Sequence, residues 1–302
     1  MEAVAYYVNQ SPITYPGEMA CHLAELPHDL AALQWAARGL VLHYRADNPS
    51  GHGIPEDRLA EIDSRYAETM LHRLVELDGR PLTEERPPQK RLLGCCRDFT
   101  VLFLAMARRL GIPARARVGF ATYFIPGFNL DHEVAEVWDV DQACWRLVDA
   151  ELGDEHTDPT DGSQLDPLDV PRDRFLVAGS AWQACREGEA DPARFLVDPG
   201  LDIEDTRGWP YLRHNLVHDL AALNKVEMLL WDGWGLIERE RPSEQELQLL
   251  DHLAQVTLSG DAAFDELRRL YNTEPGLQVP SAVTSYSPAA EAPRTVMLDA
   301  SP

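Results

Sequence analysis

The chain is poor in basic charge: 27 Lys and Arg face 50 Asp and Glu among 302 residues, a formal net charge of -23 at pH 7. Such a surface repels nucleic acid phosphates and anionic lipid headgroups, so neither is expected as a partner. The sequence also lacks an uncharged apolar run long enough to span a bilayer, and Met1 to Tyr7 is not a basic segment leading into a long apolar one. The reading is a cytoplasmic protein. Cysteine is scarce. The five residues Cys21, Cys95, Cys96, Cys144 and Cys185 are an odd number without recurring spacing, which argues against the disulfide frame of a small secreted domain. Adjacent Cys95 and Cys96 lack the Cys-x-x-Cys spacing that lets two thiolates share a zinc ion. Asp158-Pro159-Thr160-Asp161-Gly162 likewise lacks the alternating ligands and closing glutamate of a calcium loop. No metal and no cofactor is expected, and no internal repeat is apparent.

What is present is a globular composition, 45% hydrophobic, enough for one large core or two modest ones. Helical spacing predicts segments over 30–44 and from Pro55 through Leu74, with the turn-rich Asp47 to Gly53 between them. A loop with three prolines, 80–90, then delivers the chain to Cys96. From Cys96 to Leu110 the residues are apolar nearly all round, which predicts a buried helix. Gly111 suits a left-handed cap and Pro113 forbids continuation, so 114–124 leaves as a strand. Alternation over 134–138, a turn at 139–142 and a return over 144–148 predict antiparallel sheet. A long acidic loop covers 151–174, and helices are expected over 175–186, over 215–231 and after a capping box of Ser243 and Glu246. The Pro-, Ala- and Ser-rich 276–302 reads as a tail with little core of its own. The fold class is α+β, divided into an N-terminal helical part (1–90), a catalytic core (91–175), a C-terminal helical region (176–275) and the tail (276–302).

The chemistry centres on Gly94-Cys95-Cys96-Arg97-Asp98-Phe99, where a polar loop opens the apolar helix. The first N–H groups of a helix have no internal partner and carry partial positive charge, so a thiol placed there is expected to ionise more easily. His132 follows in one strand-like segment and Asp149 closes another. A thiolate, an imidazole that protonates the leaving group and a carboxylate that orients the imidazole form a set for covalent acyl transfer. Cys96, His132 and Asp149 fit those roles, with the Cys96 N–H as one oxyanion donor and a second donor unidentified. Other residues read as structure. Cys144 and Cys185 are core thiols, His43, His72, His214 and His218 are helical, His156 is solvated, and Tyr123 and Trp138 are more simply core than cleft. Asp219, Asn224, Lys225 and Glu227 are read as ties between a C-terminal helix and the catalytic region.

Three stretches resemble the transglutaminase-like superfamily of papain-type cysteine enzymes. The first is Gly94-Cys95-Cys96-Arg97-Asp98-Phe99 running into Ala107-Arg108-Arg109-Leu110-Gly111-Ile112-Pro113-Ala114-Arg115, similar to that family's Gly-x-Cys helix and its exit. The second is His132 with Glu136 four residues on, and the third is Trp145-Arg146-Leu147-Val148-Asp149. Val134 stands where the family often has an aromatic residue, and Ala150 where it usually has proline. The resemblance implies a papain-like core with a nucleophile-bearing helix on an antiparallel sheet. It also implies Cys96, not Cys95, as the nucleophile, since Cys95 occupies the variable position. The substrate is then an amide- or acyl-bearing molecule (peptide, protein or small molecule). Hydrolysis is the simpler outcome, transfer to an amine the close alternative, and binding without turnover a third.

Overall fold

A computed structural model describes residues 2–298. The N-terminal part supplies α1 (Glu2–Tyr6), α2 (Leu30–Leu40) and α3 (Ala67–Leu77), together with β1 (Val41–His43) and β2 (Leu92–Gly94), which pair in parallel with His43 opposite Gly94. Asp29 starts α2 by accepting the Ala32 N–H, which satisfies one of the orphan donors of the first turn. The helix expected over 30–44 therefore stops at Leu40. Val41 begins a strand because an extended partner, the segment delivering Cys96, lies alongside. The segment expected from Pro55 to Leu74 divides into a 3-10 stretch, Glu56–Asp63, and α3.

α4 (Cys96–Arg109) is buried from Cys96 to Arg108, as its all-round apolarity requires. Val101, Phe103 and Leu104 share one core with Leu33 of α2 and Met70 of α3, each fully buried. A fully buried Leu or Phe contributes about 1.5–3 kcal/mol, so this helix is anchored by its own side chains. Gly111, at φ 77, ends it.

The sheet follows: β3 (Ala114–Ala121), β4 (Asn129–Asp139), β5 (Cys144–Val148) and β6 (Phe175–Val177), ordered β5-β4-β3-β6, with the short β7 (Phe195–Leu196) parallel to β4. Ala116, Val118 and Ala135 pack with α4, and Gly119 pairs with His132. Ala135 lies opposite Val148, where the ladder ends, and the next residue, Asp149, turns the chain by accepting the N–H groups of Glu151 and Leu152. Residues 175–177, expected as the start of a helix, are strand. α5 (Ala178–Arg186) begins only after them.

The C-terminal region adds α6 (Gly208–Leu223), β8 (Asp232–Gly233), α7 (Glu244–Leu258) and α8 (Phe264–Thr273) around a second core that includes Trp182, Leu216, Leu220, Leu253 and Trp234. Ser243 and Glu246 form the expected capping box of α7. The helix expected over 215–231 is displaced. α6 starts seven residues earlier and ends at Leu223, where the Asn224 side chain bonds the Leu220 carbonyl and Lys225 turns left-handed at φ 60. The expected tail also differs, since β9 (Ala282–Ser285) joins β8 and β10 (Arg294–Met297), and Leu277 and Val283 are buried in the second core. Its last four residues lie outside the described part. The architecture is α+β. No helix among the described residues is long and apolar enough to cross a membrane.

Candidate active site

The start of α4 is fixed before any catalytic contact is considered. Asp98 Oδ2 accepts the Cys95 N–H at 2.8 Å, and the wholly buried Arg97 guanidinium donates to the carbonyls of Glu227, Arg65 and Ser64. Cys96 is thereby held as the first helical residue, its N–H without an intrahelical acceptor. Its side chain is nearly enclosed at 5% exposure.

On the sheet, His132 Nε2 lies 2.8 Å from Asp149 Oδ2, and both residues are buried. The same oxygen accepts the Tyr123 hydroxyl at 2.7 Å, while Oδ1 accepts the N–H groups of Glu151 and Leu152 at 2.9 and 3.3 Å. Burial opposes a charge on Asp149, yet His132, Tyr123 and these amides hold its pKa below the ordinary value. For His132 burial also works against the cation, but the Asp149 carboxylate outweighs it and raises the pKa. The Phe124 ring packs edge-on against the imidazole at 5.0 Å. With Nε2 engaged, Nδ1 is the nitrogen left for chemistry, and its nearest acid is Glu151, 4.0 Å away. Burial pushes Glu151 up to about 8.

Cys96 shares this neighbourhood. The Asp131 and Glu151 carboxylates act electrostatically on both Cys96 and His132, and Cys96 in turn acts on Tyr123. Among the described residues no hydrogen bond joins Cys96 Sγ to His132; the free thiol is a hydrogen-bond partner of the neighbouring Cys95 thiol. The expectation of easy ionisation is not met. That bond, burial and the surrounding carboxylates push the Cys96 thiol well above its ordinary range, overriding the helix end.

A groove of about 570 Å³ opens beside Phe124 and Glu151, the residues next to the imidazole, although neither Cys96 nor His132 itself lines it. Val41, Leu42 and Asp47 form one wall, Phe124, Glu151 and His156 the other, and Phe99 of α4, one turn beyond Cys96, also lines it. Several of these residues escaped the sequence reading. Tyr123, taken as core, is core and an Asp149 partner at once. His156, taken as solvated, bonds the Tyr123 carbonyl at 3.0 Å and meets the rings of Tyr123 and Phe124. Glu151 is placed by the turn that Asp149 closes after β5. Asp131, beside His132, accepts from Tyr211 at 2.7 Å and from Asn215 at 2.8 Å, so α6 supports the site. Asp219, Asn224, Lys225 and Glu227 tie the C-terminal region to the rest, through Arg117, the Tyr6 hydroxyl, the carbonyls of Asn9 and Gln10, and Arg108. Trp138 packs edge-on against Trp145 instead of lining the groove, and Cys144, expected in the core, is exposed where it pairs with Asp139 at the turn end of the β4–β5 hairpin. Among the described residues no group of three or more His, Cys, Asp or Glu is arranged to hold a metal ion.

No curated protein matches the chain. One solved structure, a provisionally assigned cysteine protease from Cytophaga hutchinsonii, aligns at 16% identity and a TM-score of 0.33, covering 59% of this chain and 48% of that one. This chain thus spans about half the length of that protein. Residues 58–150, which hold α4, β3, β4, β5 and all three of Cys96, His132 and Asp149, match the model of the Transglutaminase-like superfamily.

Proposed function

We infer that the protein is a cysteine-dependent acyl-transfer enzyme that hydrolyses an amide, peptide or thioester. The observation carrying this reading is the buried His132–Asp149 pair at 2.8 Å, in an electrostatic environment shared with a thiol at a helix start. In the proposed reaction Cys96 gives its proton to His132 Nδ1 as the sulfur attacks the acyl carbonyl. The new C–S bond forms while the carbonyl π pair moves onto oxygen. That pair then returns, the bond to the leaving amine or thiol breaks, and His132 supplies the departing group with the proton. Water, deprotonated by His132, resolves the thioester by the same steps in reverse order. The raised pKa of His132 favours the imidazolium that accompanies a thiolate. The raised pKa of Cys96 means that the resting thiol keeps its proton until substrate arrives.

Hydrolysis is favoured over transfer because the groove carries Arg38, Asp47, Arg91, Glu151 and Glu155, a charged lining compatible with water as the acceptor. Binding without turnover has its own support in the protonated thiol, hydrogen-bonded to Cys95. An activated aryl ester decides between these readings. Intact-mass measurement with peptide mapping is expected to find one acyl group on Cys96. That label is lost in Cys96→Ala and His132→Ala and retained in Cys95→Ala. Label confined to Cys95, or to the exposed Cys21 and Cys144, would sink the assignment, and no acyl-enzyme at all would favour the binding reading. Added amine then separates hydrolysis from transfer by the product released.

A further inference from the structure

We propose that His43 supplies the second oxyanion donor of this site through its Nε2–H. The inference rests on the acyl-transfer reading above and deepens it. Attack on a carbonyl places a negative charge on oxygen, and a site that stabilises it needs two preorganised donors. The N–H of Cys96 provides one.

Three observations converge on His43 as the other. Its position comes from the β1–β2 pairing, which sets His43 opposite Gly94, two residues before Cys96, while the Tyr44 N–H donates to the Gly94 carbonyl at 2.8 Å. On the same strand Val41, two residues back, packs in the core that contains Cys96 and Phe99, so alternation directs His43 to that face as well. Next, the tautomer is fixed. Nδ1 accepts the backbone N–H groups of Arg45 at 3.2 Å and Ala46 at 3.0 Å, so the proton of a neutral ring resides on Nε2. No other partner takes that N–H among the described residues. Finally, His43 sits between the groove residues Leu42 and Asp47, and Asp47 Oδ2 accepts its backbone N–H at 2.7 Å, which holds the turn in place.

The charge state suits the role. Burial, reinforced by electrostatic contact with His132 and then Arg45, lowers the His43 pKa to about 3. The ring is therefore a neutral donor throughout the working range and leaves the proton economy of His132 undisturbed. Asp47, Glu151 and Arg45 are the other charged groups facing this turn.

The test compares two reactions of the same sulfur. Alkylation by iodoacetamide needs a reactive thiol but forms no oxyanion, whereas acylation by an activated aryl ester forms one. In His43→Ala and His43→Phe, acylation of Cys96 is expected to fall about 100-fold or more, the size of a lost oxyanion donor. Alkylation of Cys96 should stay within about twofold, and His43→Gln, which keeps an N–H, should recover part of the loss. Tyr44→Phe, which removes the neighbouring hydroxyl, should acylate normally. Equal losses in both reactions, unchanged acylation in His43→Phe, or a selective loss in Tyr44→Phe instead would each overturn the assignment to His43 while leaving the Cys96 reading intact. A wild-type protein that alkylates at Cys96 but never acylates overturns both. Thermal unfolding of each variant identifies one that has lost its fold, and in that case His43→Gln, scored by the same pair of rates, decides.

Discussion

Glu133 and Glu136 are both buried on β4, three residues apart, and their surroundings treat them in opposite ways. Glu136 accepts from Arg115 at 2.7 Å, Arg172 at 2.8 Å and Arg117 at 3.3 Å. Burial alone would raise its pKa, but the three guanidinium groups hold it far below the usual carboxylate range. For Glu133 burial dominates, and Glu227, Asp98 and Asp131 add repulsion that Arg97 does not offset, so its pKa rises well above the ordinary value. The difference extends beyond the pair. Toward Glu136, Arg115 and Arg117 balance Glu136 and Asp219; toward the site, Asp98, Asp131, Glu133, Asp149 and Glu151 outnumber the cations that reach them, Arg97, Arg45, Arg38 and a protonated His132. A balanced cluster needs nothing more to be stable and serves as scaffold. An acid-rich cluster is short of cations, one of which His132 supplies on accepting a proton.

The largest effect should come from unbalancing the scaffold end. Arg117→Met leaves Asp219, fully buried, with only the Val118 N–H and without its guanidinium partner. Breaking a buried pair in this way costs about 3–5 kcal/mol. Urea unfolding should register that loss, with the acylation rate of the remaining folded protein unchanged. A loss under about 1 kcal/mol would remove the distinction between the two ends, because it would mean that Asp219 does not depend on its partner.

That contrast also explains how much could be read from the sequence. The scaffold end was legible in outline, since an all-apolar helix between Cys96 and Leu110 has no option but burial, and Gly111-Ile112-Pro113 has to end it. The candidate triad was legible because its three residues sit at element boundaries marked by local signals. Tyr123, Asp131, Glu151 and His43 were not. Each takes its role from a contact distant in sequence: Asp149 for Tyr123, His132 for Glu151, α6 for Asp131 and the β1–β2 ribbon for His43. Local periodicity carries no information about those. His43 was misread for a specific reason: three residues of strand continue the α2 pattern without a break, so its side chain counted as helical.

The next effect is on pH. Glu136, held below its unfolded value, adds stability that is complete above the ordinary carboxylate pKa and is lost as the pH falls. Glu151 has the opposite sign. Its pKa of about 8 in the fold, against 4.5 ordinarily, means that the native state keeps a proton the unfolded chain has released, so stability declines as pH rises between those values. Melting temperatures measured from pH 3 to 9 should show Glu136→Gln losing the acid-limb dependence and Glu151→Gln losing part of the decline above pH 5. Parallel behaviour of the two variants would mean that the scaffold cluster and the site do not differ electrostatically.

The smallest effect tests whether a residue can belong to both regions. Tyr123 is packed among Val134, Leu147 and Phe175, yet its hydroxyl donates to the Asp149 oxygen that also holds His132. Tyr123→Phe keeps the ring and removes one hydrogen bond, leaving Asp149 with His132 and two backbone amides, a loss of about 0.5–1.5 kcal/mol. A carboxylate relieved of one donor attracts the imidazolium more strongly, so the His132 pKa should rise slightly. The acid limb of the acylation rate should then move to higher pH, with a plateau within a few-fold of wild type. A lower plateau without movement of the limb would make the hydroxyl a packing element of the scaffold; movement of the limb makes it a positioning group of the site, acting through Asp149.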